Sequence, residues 1–154
     1  MSQRILAIDP GVTTGVAFFV GTDLKWSGKA VSYAKKNREA KFYEKFGTLI
    51  VNQWELIVRI DAVVYEAYQS YGKPGKAPQR TANVNGKFCG MALAAALGLY
   101  HCDDVVEIGN AAWTGGVKKE VRHLYTRQKF GIEGDMDHNE LDAIGLGDWY
   151  AGQL

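Results

Sequence analysis

Three carboxylates in this chain stand where chemistry could be done. Asp9 closes the apolar run Ile5-Leu6-Ala7-Ile8, and Glu66 closes Ala62-Val63-Val64-Tyr65. Asp142 lies in Asn139-Glu140-Leu141-Asp142-Ala143-Ile144, which reads as the start of a helix. A carboxylate at the end of a buried strand is desolvated, and that cost is tolerable only beside a compensating cation or metal. Three such acids, far apart in sequence, suit an oxygen-rich pocket for a divalent ion once a sheet and a helix bring them together. Asn139 stands three residues before Asp142 and His138 four before. Both positions share one helix face with it. Imidazole can ligate or take a proton, whereas an Asn carbonyl is a poor substitute. Asp135 and Asp137 read as helix caps.

The charge distribution suits a phosphodiester. Net charge is only +1, but from Ala67 to Cys102 there is no acid, while Lys73, Lys76, Arg80 and Lys87 are present. The stretch Lys118 to Lys129 carries Lys118, Lys119, Arg122, Arg127 and Lys129 against the single acid Glu120. From Glu133 to Asp148 there are six acids and no Lys or Arg. Basic segments flanking an acidic cluster would hold a nucleic-acid backbone while a metal is held beside it; the plainer reading is that such runs are solvated faces.

These residues need elements to position them. Arg4 to Asp9 and Gly15 to Val20 read as a hairpin across a Pro-Gly turn, and Lys25 to Tyr33 as a third antiparallel strand. From Lys36 to about Val58, Phe42, Phe46, Leu49, Ile50, Trp54 and Ile57 recur on one helical face. Ala62 to Glu66 follows as a strand parallel to the first. Gln69 to Gln79, with Gly72, Pro74, Gly75 and Pro78, reads as a loop. Thr81 to Leu97 predicts an Ala/Gly-rich helix, Val105 to Ile108 a strand, Lys118 to Lys129 a basic helix and Asn139 to Tyr150 a last helix. The order predicts an α/β mixed sheet with helices on its faces.

With 154 residues the chain suits one domain spanning residues 1–154. No apolar run approaches the roughly 20 residues of a membrane span, and Met1-Ser2-Gln3-Arg4 leads straight into a strand without a signal peptide. Cys89 and Cys102 lack metal-ligand spacing and read as reduced thiols, so a cytoplasmic location is expected.

The segments Ile5-Leu6-Ala7-Ile8-Asp9-Pro10-Gly11-Val12-Thr13-Thr14-Gly15, Val63-Val64-Tyr65-Glu66 and Asn139-Glu140-Leu141-Asp142-Ala143-Ile144-Gly145 together resemble the ribonuclease H-like superfamily. Within it they resemble the RuvC-type Holliday junction resolvases, in a phage-type form. Trp113-Thr114-Gly115-Gly116-Val117-Lys118-Lys119-Glu120-Val121 is similar to the Thr-Gly segment that precedes a basic helix there. The opening motif also looks like the phosphate loop of the sugar kinase, actin and chaperone ATPases. Those folds bind ATP between two such domains, and this chain is too short for that.

The resemblance implies a ribonuclease H-like, mixed five-stranded sheet with helices on both faces, and a homodimer, because a four-way junction presents two symmetry-related scissile strands. For a homodimer, the Ala/Gly-rich helix and the helix bearing Phe42 and Phe46 are candidate interfaces. It implies a metal site of Asp9, Glu66 and Asp142 with a fourth ligand shortly before Asp142, His138 being favoured over Asn139 and Asp137, holding Mg²⁺ or Mn²⁺, two ions per site. The expected activity is hydrolysis of branched DNA to a 5′-phosphate and 3′-hydroxyl. In such a site one ion activates water and the other stabilises the leaving oxygen. Lys118 or Lys119 is expected near the phosphate, with Lys118 assigned to the chemistry, and Arg80, Lys87, Lys118, Lys119 and Arg122 as DNA contacts. In the acid-free loop after Glu66, Tyr68 and Tyr71 beside Lys73 and Lys76 are expected to stack on splayed bases at the crossover; packing under the loop is their alternative role. A nuclease with broader taste for flaps or forks, or a DNA-binding module with a decayed site suggested by Asn139, are the competing readings.

Overall fold

The computed structural model describes residues 1–31, 36–67 and 77–154, with side chains from 88 onward in the last of these. Five strands form one sheet: β1 (Arg4–Asp9), β2 (Thr13–Val20), β3 (Asp23–Val31), β4 (Ile60–Ala67) and β5 (Cys102–Gly109). Their order is β3-β2-β1-β4-β5. β1, β2 and β3 are antiparallel neighbours, while β4 pairs parallel to both β1 and β5. Five helices complete the described part: α1 (Arg38–Val51), α2 (Ala77–Leu99), α3 (Asn110–Thr114), α4 (Lys119–Phe130) and α5 (His138–Ala151).

Strand alternation sorts the apolar residues into two cores, because successive side chains point to opposite faces. Leu6 and Ile8 of β1 with Val16 and Phe18 of β2 meet Phe42, Phe46 and Ile50 of α1 and Phe88, Ala92, Ala95 and Ala96 of α2. Phe88 stands edge-on to Phe42 with ring centroids 4.7 Å apart. On the other face, Ile5, Ala7, Ala17 and Phe19 meet Ala143, Ile144 and Leu146 of α5. Asp9 continues the series of residues 5 and 7, and Glu66 the series of 62 and 64. Both acids therefore project from the α5 face, at the carboxyl ends of adjacent parallel strands.

Several expectations need correction. The first helix stops at Val51 rather than near Val58, with Asn52 N–H closing on Thr48 O and Gln53 N–H on Ile50 O. Trp54, expected on the buried face, consequently stands 65% exposed, while Ile57 is still buried in the core. Phe42 and Phe46 are fully buried in the core, while Tyr43 and Val51 lie on the exposed side of the same helix. α2 begins at Ala77 rather than Thr81, although Pro78 looked like a breaker. Proline is harmless in a first turn, where the amide it lacks has no intrahelical partner. β5 is longer than read, and α3 was not foreseen. Among the described residues, no helix is long and apolar enough to cross a membrane.

Candidate metal centre and nucleic-acid interface

A cavity of about 470 Å³ opens at the carboxyl ends of β1 and β4, lined among others by Asp9, Glu66, His138, Asn139 and Asp142, with Lys119 and Arg122. The carboxyl ends of parallel strands are where open α/β sheets bind ligands. The β1–β2 turn forms one wall and is locked from within. Thr14 Oγ1 donates to Gly11 O at 2.7 Å and accepts from Gly11 N at 3.2 Å.

α5 supplies the opposite wall, and three contacts seat its first turn. Asp137 caps it, its carboxylate accepting from Asn139 N at 2.9 Å. Burial alone would raise the Asp137 carboxyl, but its two hydrogen bonds from Asn139 and the Lys29 ammonium at 3.4 Å prevail and hold it below the usual range. Ser27 of β3 donates to Glu140 at 2.5 Å. Gly15, paired with Asp9 in the β1–β2 register, lets the α5 backbone rest directly on β2. A Cβ at Gly15 would overlap the Asn139 carbonyl and lie 2.7 Å from Glu140 N.

The three acids are satisfied very differently. Glu66 accepts from Asn110 Nδ2 at 3.0 Å on one oxygen and from Trp113 Nε1 at 2.6 Å on the other. Asp142, with its side chain 9% exposed, meets Lys119 Nζ at 2.6 Å through Oδ2, and Arg122 Nη1 at 3.3 Å and His123 Nε2 at 2.9 Å through Oδ1. Asp9 accepts no hydrogen bond from any described residue. Its carboxyl is pushed well above the ordinary range, first by burial, then by the charges of Asp142 and Glu66, with Lys119 and Arg122 offsetting part of the rise. Asp9 keeps an opening to the cavity, so a cation can reach the group that most needs one.

The donor set fits a hard divalent cation, which takes oxygen ligands. A carboxylate has about four lone-pair sites, so the bonds on Glu66 leave capacity for a metal while fixing its orientation, as outer partners of metal ligands do. Among the described residues, no trio of His, Cys, Asp or Glu side chains is drawn together tightly enough to share one ion. The α4 cations hold Asp142 and the α3 donors hold Glu66.

His138 is exposed and Asn139 half-buried, and both line the cavity one turn before Asp142. The Asn139 amide nitrogen is committed to Asp137 at 3.0 Å, which leaves its carbonyl oxygen available. Of the two adjacent lysines, Lys119 lines the cavity, whereas Lys118 is the exposed N-cap residue of α4 and does not line it. Of the two lysines expected near the phosphate, Lys119 is thus the one that the structure places at the cavity. Arg122 also lines the cavity and stacks 4.4 Å from the Trp113 ring. Tyr68, Tyr71, Lys73 and Lys76 lie outside the described residues, and Arg80 and Lys87 fall on the part of α2 whose side chains are outside them.

Asn110, Trp113 and His123 had no assigned role in the sequence reading. Lys119, Arg122 and His123 stand at i, i+3 and i+4, a spacing that puts all three on one face; this signal was present for His123. No periodicity betrays the five-residue helix that carries Asn110 and Trp113. Trp113→Phe removes the N–H on Glu66 together with part of the buried ring that packs under Arg122, so the expected loss is at least that of the bond. A hydrogen bond to a charged group contributes about 1.5–3 kcal/mol, so urea unfolding should show a loss of at least that order. Unchanged stability would mean the bond contributes nothing.

Comparison with solved structures shows what the architecture is. Thermus thermophilus RuvC in complex with a Holliday junction substrate superposes with a TM-score of 0.73 at 17% identity, covering 98% of this chain and 96% of that one. The fold is that of RuvC. A second Thermus thermophilus RuvC structure gives 0.70 at 18% identity, with the same coverage of both chains. Ydc2, the yeast mitochondrial Holliday junction resolvase, gives 0.57 at 8% identity over 97% of this chain and 79% of its own. RuvC thus shares the five-stranded, ribonuclease H-like sheet that carries Asp9 and Glu66 here. No protein-family model and no curated protein sequence matches the chain.

Proposed function

We propose that the whole chain forms one metal-dependent, structure-selective DNA endonuclease domain, which resolves Holliday junctions by paired nicks and leaves 5′-phosphate and 3′-hydroxyl ends. The observation that carries this reading is the arrangement of Asp9, Glu66 and Asp142 around one cavity rimmed by Lys119 and Arg122, on a RuvC fold. Divalent ions, Mg²⁺ or Mn²⁺, would be held by Asp9, Glu66 and Asp142 with His138, and would supply Lewis acidity toward water and the leaving oxygen. The chain's own residues do the rest. Lys119 and Arg122 draw the backbone phosphate to the cavity rim by charge. Trp113 and Asn110 keep Glu66 aimed inward. In the reaction a water oxygen bonds to phosphorus and the bond to O3′ breaks. The proton that the water loses passes to solvent, O3′ takes one from solvent, and His138 stands in for solvent only where it is not itself a ligand.

Because a four-way junction is two-fold symmetric, paired nicking calls for a homodimer. Branch selectivity is assigned to Tyr68 and Tyr71, backed by Lys73 and Lys76, with Arg80 and Lys87 as further backbone contacts. The deciding experiment presents a mobile junction, a flap, a fork and linear duplex in Mg²⁺. Cleavage confined to the junction is the expected result. Equal cutting of flaps and forks would make the protein a broader branched-DNA nuclease, and junction binding without cleavage would make it a decayed module.

The fourth ligand has its own test. His138→Ala should lower turnover about 10²-fold, as loss of a ligand or proton-transfer group does, and Asn139→Ala should cost less. The reverse ranking in single-turnover cleavage would place the ligand one residue later, on the Asn139 carbonyl.

A further inference from the structure

Asp142 is the best-neutralised carboxylate of the three, and the neutralising groups come from one helix. Lys119, Arg122 and His123 occupy both of its oxygens. A divalent cation binding there needs an Asp142 lone pair, and it meets positive charge already in place. The three partners are not equally committed. Arg122 is 17% exposed, donates through Nε to Val117 O at 3.2 Å and stacks on Trp113. His123 is 16% exposed, facing the groove between α4 and α5. Lys119 is 43% exposed, lines the cavity itself, and makes the shortest contact of the three with Asp142. A long, flexible ammonium with one foot in solvent can exchange a carboxylate for a phosphate at little cost.

We propose that Lys119 is an electrostatic latch. In the DNA-free protein it occupies Asp142 Oδ2, and an arriving backbone phosphate draws it away, opening Asp142 to the divalent ion. Arg122 and His123 hold the other oxygen, keeping the carboxylate in place while Lys119 leaves. Metal loading and DNA binding are thereby coupled, so that the cutting site is completed where DNA lies. This inference rests on the metal site proposed above, and adds to it an order of assembly.

The test is Mn²⁺ titration of the full-length, DNA-free protein by calorimetry, which reads binding rather than cleavage. Lys119→Met keeps the length of the stem and removes the charge at a half-exposed position. It should bind Mn²⁺ about tenfold more tightly than wild type, within the usual range of coupling between sites. Lys119→Arg, which restores the charge, should return affinity toward wild type. Asp142→Asn should lose most of the binding whatever residue stands at 119. If Lys119→Met binds Mn²⁺ no more tightly than wild type while Asp142→Asn still abolishes binding, the metal site stands and the latch is refuted. If Asp142→Asn binds as wild type does, the metal-site reading itself fails, and the latch with it.

Discussion

Asp9→Asn should stop strand cleavage while leaving junction binding intact or stronger. Asn has nearly the same shape as Asp, so the β1 end and the Pro10–Thr13 turn keep their packing. What is lost is the charge at the one of the three site carboxylates that no described residue neutralises by hydrogen bonding. An amide there cannot draw a divalent ion into the cavity, and the ion's whole contribution to the transition state goes with it. A single electrostatic contact to a transition state is worth about 10²–10³-fold in rate, so the loss should exceed that. Binding should not suffer, because removing a negative charge from the cavity where the phosphate is proposed to lie eases the approach of DNA. Single-turnover cleavage of a mobile junction and its equilibrium binding are measured side by side; a variant that cuts at the wild-type rate would take Asp9 out of the site.

The same substitution has a consequence for stability, with a definite sign. In the folded protein Asp9 holds its proton more tightly than in the unfolded chain, because burial and the neighbouring acids disfavour its charge. Ionising it therefore costs stability. That cost is absent below the ordinary carboxylate range and grows as pH rises toward the folded-state value, staying in full above it. Asp9→Asn removes the cost, so in metal-free buffer at neutral pH the variant should melt above wild type. Each kcal/mol relieved should raise Tm by about 2–4 °C for a chain of this size. The gap should close on acidification, and close again when Mg²⁺ is added to wild type. A variant less stable than wild type at neutral pH would mean that Asp9 is compensated within the protein.

What could be read in advance follows from what is periodic. Asp9 and Glu66 are legible as acids closing apolar runs. Strand geometry puts 5, 7 and 9 on one face of β1 and 62, 64 and 66 on one face of β4, and the pairing of Ile5 with Ala62 makes these the same face, at one cavity. The α5 start was legible because Asp137 caps it and Leu141, Ala143 and Ile144 follow at core positions. The losses are equally physical. Pro78 masked a helix start because proline stops a helix from within and not from its first turn. Trp54 was misplaced because helical spacing continued past Asn52 while the backbone did not. Lys118 and Lys119 are neighbours in sequence but differ by about 100° around a helix of 3.6 residues per turn, and composition cannot choose between them. The partners of Glu66 come from a segment too short to show any period.

Gly15→Ala should damage the fold and the proposed metal site together, through one methyl group. Gly15 lies on β2 opposite Asp9, and the α5 backbone crosses it so closely that a Cβ would overlap the Asn139 carbonyl. The obstacle is main chain rather than the tip of a flexible side chain, so no rotamer change relieves it. Nor can α5 simply lift away: Ser27 holds Glu140, Lys29 reaches Asp137, and Gly147 sits against Phe19 and Ala7 where any side chain would also collide. The helix must tilt from its first turn, taking His138, Asn139 and Asp142 with it. Overpacking of this kind costs about 1–3 kcal/mol, which for a chain of this length lowers Tm by roughly 2–12 °C. Mn²⁺ affinity should fall even in the folded fraction, because Asp142 has moved relative to Asp9 and Glu66. Gly47→Ala serves as control, since a Cβ there meets nothing within 4 Å and its helix lies on the other face of the sheet. Thermal melts and Mn²⁺ titration of both variants decide the matter; a Gly15→Ala protein with wild-type Tm and metal affinity would show that the close contact between α5 and β2 does not position the site.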